Sequence, residues 1–168
     1  SNEGLRWSGA KMEFGNSSLL MSGSWKREVK GEPFEITAKG KVDFKNLFRL
    51  FQSPLFSEEV GLKTKKIEGL SGVSQISFKG RRDGKHQPFN YEGELLPKET
   101  SLLLKGVSSP LLFREGSLSF SNLGATFSKL KIQSGNSLLT LDGSIKEGSL
   151  NLSTWGTIDL KYLHSLLQ

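Results

Sequence analysis

Side chains that could do acid–base or metal chemistry are few in this chain of 168 residues. It has no cysteine and only two histidines, His86 in a polar turn and His164 on the apolar face of a predicted helix. Asp43 and Asp159 each precede a short helical pattern, where a carboxylate accepts hydrogen bonds from the first backbone N–H groups, so we predict that both are helix caps. The chain shows no phosphate-binding loop, zinc-ligand spacing or nucleophile elbow. We therefore expect a protein that is not an enzyme and uses no metal or cofactor.

The chain carries a net charge of +6 at pH 7, which suits an anionic partner. Its lysines are spread along the chain rather than gathered on one helix, and this pattern disfavours nucleic acid as the partner. One basic group surrounds a predicted hairpin tip and comprises Lys79, Arg81, Arg82, Lys85 and His86. These side chains could meet a phosphate, although charge runs of this kind more often belong to a solvated turn.

Two stretches of the sequence, residues 4–52 and 124–168, repeat the same pattern. Gly15-Asn16-Ser17 reappears as Gly135-Asn136-Ser137. Gly156, three residues before Asp159, has its counterpart in Gly40, three residues before Asp43. Each copy predicts three antiparallel strands, with a bulge in the first, followed by a short helix. We divide the chain into the end of one repeat unit, 1–52, and a full unit, 53–168, within one continuous domain. Because the chain begins inside a copy, we expect it to be part of a longer protein.

The alternation of apolar and polar residues predicts a mainly β fold. We expect an antiparallel meander of roughly ten or eleven strands, strongly curved into a groove, with two short helices that close the repeat units. Asp83-Gly84 and the two Gly-Asn pairs are tight-turn signals between these strands.

Glycine recurs inside the predicted strands, and the spacing from Gly80 to Gly93 to Gly106 is 13 residues each time. A glycine within a strand costs roughly 0.5–1 kcal/mol relative to alanine, so an aligned row needs a physical reason. We predict that the row is a crease along which the sheet bends. For any single glycine, a bulge or close packing is the alternative. The proposed crease comprises Gly23, Gly40, Gly80, Gly93, Gly106, Gly143 and Gly156.

A sheet that is folded along such a line forms a trough lined by alternate residues. The predicted lining is apolar, and the residues between are polar or charged, which suits water on the outside. The lining residues are Phe78, Phe89, Tyr91, Leu95, Leu102, Leu104, Leu118, Phe120, Leu139, Leu141, Leu150 and Leu152.

Several short motifs carry a resemblance to a known family. They are the run 117–121, then Phe127-Ser128-Lys129-Leu130-Lys131-Ile132, the run 139–145, and Gly156-Thr157-Ile158-Asp159-Leu160 with Leu163. Together these motifs resemble the AsmA-like family of TamB- and YhdP-type proteins, which are similar to bridge-like lipid transfer proteins. The resemblance runs loosely over the whole chain and is strongest in the two repeat copies.

The resemblance implies a periplasmic protein whose inner-membrane anchor lies outside this chain. Its partners would be phospholipid or another acyl lipid and the adjacent repeat units of the parent protein. An apolar groove would shield acyl chains during transport from the inner to the outer membrane, in support of envelope integrity. The alternative from the residues alone is a structural or adhesive β-repeat spacer, or a carbohydrate-binding surface module, without lipid.

Overall fold

The computed structural model describes residues 4–26, 32–51, 66–84, 86–107 and 109–159. The strands within these segments are β1 (Gly4–Phe14), β2 (Ser17–Lys26), β3 (Phe34–Asp43), β4 (Ile67–Arg82), β5 (Asn90–Leu104), β6 (Leu111–Ser121), β7 (Gly124–Ser134), β8 (Ser137–Lys146) and β9 (Ser149–Thr157). A single helix, α1 (Phe44–Phe51), lies between β3 and β4 in the described part of the chain. The strands pair in chain order into one antiparallel sheet with β1 and β9 at its edges. The predicted mainly β meander is confirmed.

The three central strands are longer than the sequence pattern indicates. β4 has 16 residues, β5 has 15 and β6 has 11, and each continues through a break in the alternation of its side chains. The alternation breaks within these strands because Gly72, Glu99 and Gly116 adopt positive φ angles of 93°, 52° and 98°. Such bulge residues shift the alternation of the side chains while strand pairing continues on both sides of them. The described part of the chain therefore has nine strands rather than ten or eleven.

The repeat copies have matching local structure. The register of β1 against β2 shifts between Trp7 and Ala10, and the register of β7 against β8 shifts between Phe127 and Leu130. At the first bulge the Gly9 N–H donates to Ser22 Oγ over 3.1 Å. At the second, the Lys129 N–H donates to Asp142 Oδ1 over the same distance. The predicted bulge in each copy is confirmed, and both copies stabilise it with a side chain from the neighbouring strand.

A second shared feature ties each hairpin to the end of the third strand. The Asp43 N–H donates to Ser17 Oγ over 2.9 Å, and the Asn16 side chain donates to the Asp43 carboxylate over 3.0 Å. In the other copy the Asp159 N–H donates to Ser137 Oγ over 2.9 Å. The Gly-Asn-Ser motif therefore does more than turn the chain, since it also positions the aspartate that follows the meander.

Helix α1 begins at the residue after Asp43. The Lys45 N–H donates to Asp43 Oδ1 over 2.9 Å, which confirms the predicted N-cap. The helix packs chiefly against β4, beside residues 68–71, where β3 has already ended. Val42 and Phe48 are buried at this junction. The helix predicted after Asp159 lies outside the described residues, as does the predicted boundary at 52 and 53.

The sheet has very little conventional core. Among the described residues, the buried apolar side chains are Val42, Phe48, Pro97 and Leu130. The buried polar residues of the described segments are Asp43 and five hydroxyl residues. Ser17 and Ser137 make the hydrogen bonds just described, and the Ser74 and Thr100 hydroxyl groups pair over 3.0 Å. The stability of the fold therefore depends heavily on its backbone ladder and on a few buried polar contacts.

Replacing Ser17 by alanine tests this dependence. Ser17 is only 2% exposed, and its loss leaves the Asp43 N–H without its acceptor, which costs about 1–3 kcal/mol of unfolding free energy. Urea denaturation followed by circular dichroism measures the change. Ser18→Ala is the matched control, because Ser18 lies on the other face of the sheet, where it pairs with Lys41 of β3. Equal stability of the two variants would contradict the proposed role of Ser17.

Candidate functional site

The strand register places apolar side chains from all nine strands on one surface of the sheet. Residues that pair directly across antiparallel strands point to the same side, and alternate residues point to the opposite side. One row of such pairs runs from Met21 through Ala38, Phe78, Gly93 and Phe120 to Ala125. We call this surface the apolar face.

The twelve residues predicted to line a groove are brought together on this face. Nine of them occupy its paired positions: Phe78, Tyr91, Leu95, Leu118, Phe120, Leu139, Leu141, Leu150 and Leu152. Leu102 and Leu104 continue the face beyond the bulge in β5, opposite Leu70 and Ile67. Phe89 lies just before β5, with its ring centroid 6.5 Å from that of Tyr91.

The face also includes apolar residues of β1–β3 that the predicted lining leaves out. They include Trp7, Met12, Met21, Phe34 and Ile36. The signal that could have found them is the repeat itself, because β1–β3 are the counterparts of β7–β9.

The apolar face is open to solvent in the described structure. Tyr91 is 39% exposed, Leu152 is 41% exposed and Leu150 is 64% exposed. Nine strands spaced about 4.8 Å apart, with ten residues in each, span roughly 1300 Å². The largest apolar patch of an ordinary monomer is about 300–600 Å². The footprint of the face exceeds this range, which makes the face a candidate ligand-binding surface.

Aromatic rings form a continuous row across one end of the face. Trp7, Phe34, Phe89, Tyr91 and Phe120 follow one another with centroid separations of 6.4–6.5 Å. Such distances are typical of favourable aromatic pairs.

Three of the predicted crease glycines lie beneath these rings. A Cβ at Gly23 would collide with the ring of Trp7, at Gly80 with that of Phe89 and at Gly93 with that of Phe120. Glycine lets an aromatic side chain of a neighbouring strand lie flat across the sheet. These glycines therefore have a packing reason that the sequence spacing did not show.

The other four glycines of the predicted crease fall into two groups. A Cβ at Gly40, Gly143 or Gly156 would overlap a carbonyl oxygen of the partner strand, so the close approach of two backbones requires glycine there. Gly106 lies in the turn after β5 and not inside a strand, which corrects its predicted position. Its regular spacing of 13 residues was misleading, because β5 ends at Leu104.

A different set of residues forms an irregular line across the central strands. Gly72, Glu99, Gly116 and Lys129 lie on β4, β5, β6 and β7, and each has a positive φ angle. Gly72 lies against the backbone of Glu99, and Gly116 lies against that of Lys129. Bulges bend the strands that contain them and increase their local twist.

The opposite face is polar and contains a hollow. The hollow has a volume of about 740 Å³ and lies over β2 to β8. Its lining is mostly polar-face residues, among them Lys39, Lys79, Lys146, Glu92, Thr37, Ser77, Ser119 and Thr126. A smaller hollow of about 480 Å³ adjoins it near Arg81 and Asn122. We call this region the polar hollow.

The predicted basic group at the hairpin tip is divided by the strand alternation. Lys79 and Arg81 point to the polar face, and Arg82 points to the apolar face. His86 is exposed in the turn, and Lys85 lies outside the described residues. The described members of the group therefore do not form one basic patch.

The described residues contain no group of three or more histidine, aspartate or glutamate side chains that could hold a metal ion. Within the same segments there is no helix with the length and apolar character needed to cross a membrane. The chain matches no family model, no curated protein and no solved structure. A functional assignment must therefore be argued from the two faces of the sheet.

The close backbone approach at Gly143 predicts a large effect of a single methyl group. Gly143→Ala would force apart β8 and β9, and we expect a loss of about 2 kcal/mol or more in unfolding free energy. Gly69→Ala is the control, because a Cβ there has its nearest neighbour at 3.7 Å; we expect a change within about 0.5 kcal/mol. Urea titration of both variants measures the difference, and similar losses would contradict this view of Gly143.

Proposed function

We propose that this chain is a lipid-binding segment whose apolar face shields the acyl chains of phospholipids. The observation that carries the proposal is the open apolar face, to which all nine strands contribute and in which few side chains are buried. A surface of this size is costly in water and gains free energy when another apolar surface covers it. A flexible hydrocarbon chain needs no specific polar contact to do so.

The energetics favour an acyl chain as the ligand. Each CH₂ group removed from water contributes about 0.8 kcal/mol, so half-covering a chain of about 15 such groups is worth roughly 6 kcal/mol before the costs of binding. An open sheet would let the chain slide, since the contacts are similar along its length. Head groups would remain in solvent near the rim of the face.

The wider setting of the proposal follows from the family resemblance of the motifs. In that setting the chain is a segment of a periplasmic AsmA-like protein, anchored in the inner membrane outside this chain. Its curved sheet would join adjacent repeat units into a groove that carries phospholipid to the outer membrane. The line of bulges across β4–β7 supports the curvature. The segment would act by binding alone, without catalysis.

Two doubly substituted variants compare the faces directly. Tyr91→Glu/Leu152→Glu places two charges on the apolar face, and we expect at least about a tenfold loss of affinity for a fluorescent fatty acid. Leu20→Glu/Leu138→Glu is the matched control, because these residues are 57% and 47% exposed on the polar face. Uptake titrations measure both, with native mass spectrometry to detect co-purified phospholipid.

The outcome of the comparison decides between a lipid-binding segment and a spacer. Retained uptake in the control variant together with loss in the apolar-face variant supports lipid binding. Wild-type protein that neither carries lipid from cells nor takes up the fatty acid would contradict the proposal and favour a structural β-repeat.

The polar hollow favours a second candidate function, the binding of a carbohydrate. Hydroxyl and ammonium groups line it, and saccharides accept and donate hydrogen bonds to such groups. Lys39 and Lys79 are diagonal neighbours on adjacent strands, so an anionic sugar could lie between two positive charges.

Substitution of one lysine tests the second candidate. Lys39→Ser should weaken the binding of an anionic oligosaccharide by about tenfold in calorimetric titrations. Lys41→Ser is the control, because Lys41 shares the strand and the face but does not line the hollow. No saccharide binding by the wild type, or equal effects of the two substitutions, would exclude this function.

A further inference from the structure

Arg82 occupies an exceptional position on the apolar face. Among the paired positions of β1 to β9, Arg82 is the one charged residue that lies on this face. It lies at the last position of β4, directly opposite Phe34 on β3. The charge therefore stands at the end of the apolar face and not in its middle.

Two aromatic rings flank the arginine. On the β5 side, the last pair is Arg81 with Asn90, so Phe89 is the next residue beside Arg82. The ring centroids of Phe34 and Phe89 are 6.5 Å apart, and the ring of Phe89 leans over Gly80. The missing side chain of Gly80 allows this arrangement. Arg82 thus lies beside the aromatic row, between Phe34 and Phe89.

The guanidinium group has a donor without an acceptor. Arg82 Nε is buried and has no hydrogen-bond partner among the described residues. Arg82 also forms no ion pair with a carboxylate of the described residues. An unsatisfied buried donor is unfavourable, and buried polar groups of native proteins usually have partners. Among the described residues, no oxygen accepts from Arg82 Nε, and an oxyanion of a ligand would suit this donor.

The neighbouring arginine is a natural comparison. Arg81 points to the polar face, where its Nε pairs with Asp83 Oδ1. Its charge is already satisfied within the hairpin. Two adjacent arginines therefore differ in face and in partner, and only Arg82 combines a free donor with an apolar surface.

We propose that Arg82 binds the anionic head group of an acyl ligand whose hydrocarbon chain lies on the apolar face. This inference rests on the proposed function and names the recognition element of the same site. A guanidinium group stays protonated and presents N–H groups that match the oxygens of a phosphate or a carboxylate. Because β4 ends at Arg82, the head group lies at the margin of the face. The chain then extends inward over the aromatic row.

The test uses three ligands with the same sixteen-carbon chain and different head groups. Hexadecyl phosphate and palmitate are anionic, and monopalmitoylglycerol is neutral. Below their critical micelle concentrations, we expect the wild type to bind at least one anionic ligand about tenfold more tightly than the neutral one. A preference for hexadecyl phosphate assigns a phospholipid phosphate, and a preference for palmitate assigns a fatty-acid carboxylate.

Substitutions at the two arginines give the discriminating result. Arg82→Gln should remove the preference for the anionic ligand and leave binding of the neutral ligand unchanged, which also shows that the variant is folded. Arg82→Lys keeps the charge and should retain part of the preference. Arg81→Gln should behave as the wild type.

The proposals can fail separately. If the wild type binds none of the three ligands, the proposed function is wrong and the inference fails with it. If the wild type binds all three equally, or if Arg82→Gln and Arg81→Gln have the same effect, the role of Arg82 is overturned while lipid binding on the apolar face stands. If Arg82→Gln loses all binding, the Arg82→Lys variant is the deciding measurement. A preference for the anionic ligand in Arg82→Lys supports the role of Arg82, and binding by Arg82→Lys without any preference overturns it.

Discussion

The separation of the apolar face from the polar face depends on the register of the backbone hydrogen bonds between the strands. A slip of one residue between two strands would move the apolar residues of one strand to the polar side. Both repeat copies contain a bulge that shifts the alternation, and both hold it with a side chain of the adjacent strand, Ser22 or Asp142. Beyond these bulges the apolar side chains return to the same face. The two faces thus stay distinct across nine strands.

This arrangement replaces a conventional core with an exposed apolar surface. Few apolar side chains are buried, so buried hydroxyl contacts such as Ser17 to Asp43 and Ser74 to Thr100 acquire unusual weight. Aromatic rings that lie over glycines cover part of the backbone. The remaining apolar surface is the basis of the proposed lipid binding. The exposed apolar surface that is unfavourable in water is therefore the same surface that would suit a hydrocarbon chain.

The two faces offer different chemistry for ligands. The apolar face is almost free of charge and suits a chain that needs no directional contact. Arg82 at its end adds one strong and directional donor, which would give a sliding ligand a preferred orientation. The polar hollow has hydroxyl and ammonium groups and suits a hydrophilic ligand. A single layer of sheet thus separates two environments by only the thickness of its backbone.

The sequence alone determined the β class, the repeat, the bulge in each copy and the Asp43 cap, because these follow from local alternation and turn chemistry. It also placed the apolar residues on a common face, since side chains alternate along any strand. The tertiary structure decided the rest. The continuous course of β4–β6 was hidden because their bulges interrupt the pattern. The roles of Gly80 and Gly93 depend on rings that approach from neighbouring strands. Arg81 and Arg82 differ because Asp83 pairs with the first, while Phe34 lies opposite the second. Contacts of this kind join residues that are distant in the chain, so spacing along the sequence does not specify them.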